Sequence, residues 1–331
     1  MTSGLFVYII PAMKIGDVEI KGKVVLGPMA GITSLPYREF MKGFGVALSY
    51  SEMISDCGLI YGNEKTEEYV ATSSSDRPVG LQLFGHSAEH AVKGIAILEK
   101  IASYDILDIN LGCPVHKVVK TGAGSAWLKN PPALYDYMKA ICEASHKPVT
   151  AKIRLGWDDN SINVFEVAPM LEKAGVKAIT VHCRTSTQMY SGKADYHKIA
   201  GLKEKLSVPL IISGDIFSVD DVKCALEVSE ADMVMVARGA VGHPFLVKQI
   251  DTYLTTGEIL PDPALKQQVE YALTFAKMLV EDKGEDVAIR QLKGIIPHFL
   301  SGFPGYKKVR LAITQEISSL KQLEALLSQL A

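Results

Sequence analysis

A cysteine lies between a glycine and a proline where a short apolar strand pattern ends: Asp108-Ile109-Asn110-Leu111-Gly112-Cys113-Pro114. In that place its thiol belongs to a loop at the strand end, where a side chain can meet a ligand and move a proton or attack a carbon. His116, Lys117 and Lys120 follow, and then the small-residue run Thr121-Gly122-Ala123-Gly124-Ser125-Ala126. Taken alone, a cysteine at a turn is also consistent with a small buried residue. Its neighbours in the other strand patterns decide between the two.

Polar groups recur where the other apolar runs stop. In chain order the run ends are Pro28-Met29-Ala30, which is apolar, then Glu52, Gln82, Asn110 with Cys113, Lys152 with Arg154, and His182 with Arg184. Ser213-Gly214-Asp215 and Ala237-Arg238-Gly239 complete the series. Lys152 alternates with Ala151 and Ile153, so it points to the inner side of its strand and needs an anionic or polar partner. With Lys152 on the neighbouring strand, His182 reads as a ligand-facing group rather than a core histidine. Glu52 could equally serve a structural ion pair, and Arg154 a rim salt bridge. The last two glycine turns, with Arg238 as a fixed cation, suit a phosphate, although glycine turns also serve chain reversal.

The elements that must carry these groups are short and regular. Eight continuous apolar runs predict buried parallel strands at Lys23–Leu26, Val46–Tyr50, Val79–Leu83, Ile106–Ile109, Val149–Ile153, Ala178–Val181, Leu210–Ile212 and Met233–Val236. Helical patterns lie between them. Ala133-Leu134, Tyr137-Met138 and Ile141-Cys142 make one apolar face after an Asn130-Pro131 start, and Ser218 with Asp221 forms a capping pair. Glu172–Gly175 reads as a helix end. Eight strand–helix units predict a (β/α)8 TIM barrel with its site at the C-terminal strand ends. A doubly wound sheet would show a G-x-G-x-x-G after the first strand, where this chain has Gly27-Pro28-Met29-Ala30-Gly31. Helix patterns at Leu265–Val280 and Ile317–Leu330 predict a small C-terminal all-α helical-bundle domain. The expected division is a barrel at 1–256, a linker at Gly257–Pro263 and the bundle at 262–331.

The totals agree with a soluble protein: 331 residues, 48% hydrophobic, net charge −2. Near-neutrality gives no global argument for nucleic acid. The scattered Cys57, Cys113, Cys142, Cys183 and Cys224, without a C-x-x-C, argue against a disulfide framework or metal cluster and suit a reducing cytoplasm. The apolar run Leu5–Ile10 is too short to span a membrane and lacks signal-peptide flanks.

As a set, several motifs resemble the tRNA-dihydrouridine synthases. They are Gly27-Pro28-Met29-Ala30-Gly31-Ile32-Thr33, Ser51-Glu52-Met53, Leu81-Gln82-Leu83-Phe84-Gly85, Asn110-Leu111-Gly112-Cys113-Pro114 and Lys152-Ile153-Arg154-Leu155-Gly156-Trp157. Val181-His182-Cys183-Arg184-Thr185, Tyr190-Ser191-Gly192 and Ser213-Gly214-Asp215-Ile216 continue the match, which runs from about residue 23 to 250 and on to Gly302-Phe303-Pro304-Gly305. The resemblance implies an FMN enzyme that reduces a D-loop uridine of tRNA to 5,6-dihydrouridine with NADPH. It implies that Pro28, Met29, Ala30 and Gln82 line the flavin and that Lys152 and His182 approach its ring. Ser213, Gly214, Asp215, Ala237, Arg238 and Gly239 would hold its phosphate side. Asn110 and Tyr190 match uracil contacts, Arg154 and Arg184 belong to the substrate side, and Cys113 matches the catalytic acid. Ser213 and Ala237 depart from the family's common Asn and Gly.

Reduction of the uracil C5–C6 bond needs hydride at C6 and a proton at C5, and the resemblance makes Cys113 the donor of the latter. A thiol with a reference pKa of about 8.5 stays protonated near neutral pH. No second nucleotide fold is legible, so NADPH is expected to leave before the uridine enters. The uridine must be extruded from folded tRNA. Arg290, Lys293, Lys307, Lys308 and Arg310 lie in a stretch with no acidic residue between Asp286 and Glu316, an expected tRNA grip. The protein is expected to act as a monomer, without a metal or a membrane. Rival expectations are an FMN barrel reductase of a free pyrimidine, a barrel aldolase with Lys152 as Schiff base, and a non-catalytic RNA-binding barrel.

Overall fold

The computed structural model describes residues 13–62 and 64–330, with the backbone alone at Glu64, Lys65 and Glu67. The run Leu5–Ile10 lies outside the described residues. A hairpin of β1 (Met13–Ile15) and β2 (Val18–Ile20) opens the described chain. Eight parallel strands then close into a barrel. They are β3 (Val24–Leu26), β4 (Leu48–Ser55), β5 (Val79–Phe84), β6 (Ile106–Leu111), β7 (Val149–Arg154), β8 (Ala178–His182), β9 (Leu210–Ser213) and β10 (Met233–Val236). β10 pairs with β3 and β9, so the barrel itself has no open strand edge.

All eight expected strands form, and the differences are local. β4 continues past Tyr50 because its register shifts between Tyr50 and Met53. In that bulge the Ser51 hydroxyl accepts from Gln82 N at 3.0 Å, in place of a backbone carbonyl. The hairpin has no counterpart among the expected elements: strands of three residues are too short for a period-2 signal. It puts Ile15 and Ile20 into a cluster with Val25, Tyr50, Ile106, Ile211 and Met235.

The expected caps form as well. Asn130 accepts from Ala133 N at 3.3 Å ahead of the helix Pro131–Ala144, and Ser218 accepts from Asp221 N at 3.1 Å ahead of Val219–Ser229. The Asp221 carboxylate reaches back to Phe217 N at 2.9 Å, one residue earlier than a capping-box Glu would reach.

After the barrel, four helices follow the Pro244–Thr256 helix: Leu265–Lys283, Glu285–Phe299, Tyr306–Gln315 and Leu320–Ser328. The last is shorter than expected and leaves Ile317 buried ahead of it. One hydrophobic cluster runs from the barrel shell into these helices. At the junction, Tyr37 and Phe40 of the helix Leu35–Lys42 meet Phe275 at ring distances of 5.4 and 5.5 Å, and Phe299 lies 6.3 Å from Phe40. The Tyr37 hydroxyl donates to Ala240 O at 3.1 Å. No helix among the described residues is long and apolar enough to cross a membrane.

Candidate active site

Alternation along the strands decides which side chains reach the barrel interior. On β6 these are Asp108 and Asn110, and on β7 Thr150, Lys152 and Arg154. The register sets Asn110 opposite Lys152 and Arg154 opposite His182, with Gln82 opposite Asp108. A cavity of about 290 Å³ opens at the C-terminal strand ends, lined by Pro28, Met29, Ala30, Gln82, Asn110, Cys113, Lys152, Arg154, His182, Tyr190 and Arg238 among others. A second cavity of about 110 Å³ shares Lys152, His182 and Tyr190 with it and extends to Ser213, Gly214, Asp215, Ala237, Arg238 and Gly239.

A chain of hydrogen bonds ties the buried layer to the cysteine loop. Thr150 and Gln82 donate to the two oxygens of Asp108, each at 2.6 Å. Asn110 Nδ2 donates to Gln82 Oε1 at 2.8 Å, and its Oδ1 accepts from Cys113 N at 2.9 Å and Gly112 N at 3.2 Å. Asn110, expected at the uracil, therefore spends its carbonyl oxygen on the cysteine loop. From the other side, Ser125 N and Oγ donate to Cys113 O at 3.1 and 3.0 Å. Burial raises the Cys113 thiol pKa, against the opposing pull of a backbone contact, Arg154 and Lys152. The group is therefore a thiol near neutral pH.

Burial, with the Arg154 charge beside it, lowers the Lys152 pKa to about 8, against the attraction of Asp108. Among the described residues, the Lys152 ammonium makes no hydrogen bond or ion pair, and it faces the cavity. His182 is pushed well below its usual pKa by burial and by Lys152, Arg154, Arg184 and Arg238, so its imidazole is neutral. Its Nε2 stands 3.4 Å from Arg184 Nη1 and accepts there, which leaves the ring proton on Nδ1.

The arginines divide by role. Arg154 lines the cavity but is 2% exposed, and it donates to Gly112 O at 2.8 Å and to Thr185 O and Met189 O at 2.7 Å. Arg184, expected on the substrate side, lines neither cavity. It is 1% exposed and committed to both Asp215 oxygens and to the Ser191 and Gly192 carbonyls. Buried donors take fixed acceptors first. Asp215 also takes Arg238 at 3.0 Å, so its carboxylate sets arginines rather than meeting a phosphate. Arg238 and Arg154 lie 4.8 and 5.5 Å from the Tyr190 ring, which is half-exposed at the mouth.

Glu52 resolves into a positioning group. Its carboxylate accepts from Gly31 N at 2.5 Å, and Arg38 Nη1 donates to Thr33 O at 2.8 Å. Together they hold the loop that carries Pro28, Met29 and Ala30. Asp108 escaped the sequence-based site, although a carboxylate two residues before Asn110 in an apolar strand was a visible signal. Met53, Phe217 and Met235 also line the cavities and stand outside that sequence-based set. Arg290, Lys307, Lys308 and Arg310 are exposed and Lys293 is half-buried, on the tail helices Glu285–Phe299 and Tyr306–Gln315 and away from the cavities.

The closed barrel and its strand-end site, with a half-buried thiol and an ammonium that has no partner among the described residues at one mouth, define a (β/α)8 barrel of the enzyme type. Solved barrels share the fold. The old yellow enzyme homologue from Zymomonas mobilis aligns with a TM-score of 0.52 at 11% identity, over 78% of this chain and 95% of that one. Histamine dehydrogenase from Rhizobium sp. 4-9 aligns at 0.56 and 14%, over 81% and 50%. Residues 25–331 match the family model described as Dihydrouridine synthase (Dus), and the chain belongs to that family. It is similar to a "Probable tRNA-dihydrouridine synthase" of Rickettsia bellii, 35% identical over 91% of this chain and 92% of the relative. It is also similar to "tRNA-dihydrouridine synthase B" of Pasteurella multocida, 32% identical over 94% and 95%.

Proposed function

We propose that the protein is an FMN-dependent tRNA-dihydrouridine synthase that reduces a D-loop uridine with NADPH, with Cys113 as the proton donor. The observation that carries this is the single cavity that gathers a protonated Cys113, an unpartnered Lys152 and a neutral His182. The family membership and the names of the relatives support it.

The residues present fit the flavin. A flat anionic ligand would find Lys152 in the larger cavity, and its phosphate would find Ser213 and Arg238 at the end of the smaller one. The turns there admit only glycine because the chain packs on itself: a Cβ on Gly239 would stand 1.9 Å from Ile216 O, and one on Gly214 would stand 2.8 Å from Ala194 Cβ. Ser213 keeps a hydroxyl and Ala237 a backbone N–H where the family commonly has Asn and Gly. When bound, the flavin supplies the hydride for C6 of the uracil.

This chain's own residues do the rest. With the flavin bound, Lys152 would supply positive charge from the cavity wall and stabilise negative charge developing on it. Cys113 gives its proton to C5 and is left as a thiolate, which Arg154 and Lys152 offset and solvent reprotonates. The Asn110 and Ser125 contacts hold the loop so that the thiol stays over the cavity. NADPH and the uridine use the same mouth in turn, so both cannot be bound productively together. The tail at 262–331 grips the tRNA through Lys307, Lys308 and Arg310, with Arg290 and Lys293 on the helix before, and one protomer suffices. The protein works in the cytoplasm, where its five thiols stay reduced.

The test is direct. The purified protein should be yellow, bleach with NADPH without air, and form dihydrouridine in tRNA lacking it. A colourless protein trapped by borohydride on a carbonyl substrate would replace this reading with the aldolase one. Reduction of free uracil or orotate in preference to tRNA would replace it with a pyrimidine reductase.

A further inference from the structure

A third cavity of about 480 Å³, within the roughly 300–1,000 Å³ of small-ligand sites, lies between the barrel and the tail. Its barrel side includes Phe217 and Gly239, which also line the smaller catalytic cavity. Its tail side is formed by Ser301, Gly302 and Phe303, just before the helix that carries Lys307, Lys308 and Arg310. The cavity therefore adjoins both the smaller catalytic cavity and the loop ahead of the basic helix.

The lining selects a base over a phosphate. Flat apolar groups come from Phe217, Phe245 and Phe303, and Phe245 is itself stacked on Tyr271 at 6.4 Å and 13°. Among the described residues no lysine or arginine lines this cavity, whereas the Asp262 carboxylate does, which repels phosphate and accepts from N–H groups on a base edge. Gln249 Nε2 donates to Asp262 Oδ1 at 3.0 Å and holds that carboxylate in place. Gln268 also lines the cavity, is 3% exposed, and its side-chain carbonyl oxygen has no partner among the described residues. A buried acceptor left unpaired is costly, and a ligand that supplies a donor relieves it.

We propose that this cavity is a second nucleobase pocket, which takes an unstacked base of the same tRNA whose uridine enters the barrel mouth. The base lies between aromatic faces and presents N–H donors to Asp262 and Gln268, so a purine or cytosine with an amino group suits it better than a uracil. The pocket anchors the tRNA between its reacting nucleotide and its phosphates on the tail. This inference rests on the tRNA reading above. The wild-type protein must first bind tRNA and form dihydrouridine, and failure there overturns that reading before the pocket is tested.

The experiment uses the flavin-loaded full chain, an intact tRNA transcript, and the variants Phe303→Ala and Gln268→Leu. Gln268→Leu keeps volume and removes the polar group, so it remains informative if Phe303→Ala folds poorly. The expected result is a rise in Kd and KM for tRNA of roughly tenfold or more for Phe303→Ala and a smaller rise for Gln268→Leu. The KM for NADPH and the flavin content should stay at wild type. The slope of log affinity against log salt should also stay unchanged, because a base contact releases no counterions. Unchanged tRNA affinity in both variants overturns the proposal. So does a shallower salt slope, which would mean a phosphate site. A raised KM for NADPH with tRNA unaffected would hand the pocket to the reductant's adenine and overturns it equally.

Discussion

Asn110→Ala should slow the tRNA half of the reaction far more than the NADPH half. Its side chain accepts from Cys113 N and Gly112 N at 2.9 and 3.2 Å and donates to Gln82 Oε1 at 2.8 Å. Each lost bond costs about 0.5–1.5 kcal/mol, and the buried Gln82 carbonyl left behind costs about 1–3 kcal/mol. The two loop contacts together account for about 1–3 kcal/mol, centred on about 2 kcal/mol, and the Gln82 carbonyl brings the sum to about 2–6 kcal/mol. If about 2 kcal/mol is withdrawn from the ordered Cys113 loop, proton delivery falls roughly 30-fold. Rapid mixing under anaerobic conditions separates the halves: flavin bleaching by NADPH should stay within about threefold of wild type, and reoxidation by tRNA should drop. Gly124→Ala removes the ambiguity of a lost substrate contact, since Gly124 does not line the cavity. At φ +61° its new Cβ would stand 2.7 Å from Cys113 O, with strain of about 1–2 kcal/mol or more against the same loop. Tenfold or greater slowing of reoxidation is expected there, by about 1.4 kcal/mol. Wild-type reoxidation in both variants would refute the claim that this loop is held for catalysis.

Two further outcomes follow from charge. Lys152→Met should make the flavin-free protein more stable to heat at pH 7, with the advantage shrinking as pH rises. Burial lowers the Lys152 pKa from 10.5 to about 8, so between those values the unfolded chain binds the extra proton and wild-type stability rises with pH. Below about pH 8 the penalty is constant, and melting curves from about pH 7 to about pH 10 check the sign; the same variant should lose flavin affinity. Lys307→Glu with Lys308→Glu should weaken tRNA binding at low salt and reduce the log–log salt slope by about 1.4–1.8, since roughly 0.7–0.9 of a counterion is released per phosphate contact. Unchanged affinity at low salt would remove the tail from the tRNA interface.

The barrel was legible because its strands are continuous apolar runs: in Met233–Val236 every residue is buried, so the run carries no polar alternation. The strand ends after the first also carried their polar residues in plain view. Pairing across strands was not legible. Asp108, Gln82 and Asn110 become one hydrogen-bonded chain only when the register of β5 and β6 brings them together. Arg184 looked like a substrate contact because its type and place fit one, but a lone sequence does not show that Asp215 and two carbonyls already occupy it. The junction cavity joins Phe217 to Phe303 across residues far apart in the chain, and no local pattern marks such a contact.

The central claim is that Cys113 delivers the proton, and Cys113→Ala tests it most directly. The variant should retain flavin and be reduced by NADPH at the wild-type rate, while dihydrouridine formation in tRNA falls by roughly 10²–10⁴-fold. Dihydrouridine formation at the wild-type rate in Cys113→Ala would contradict the account.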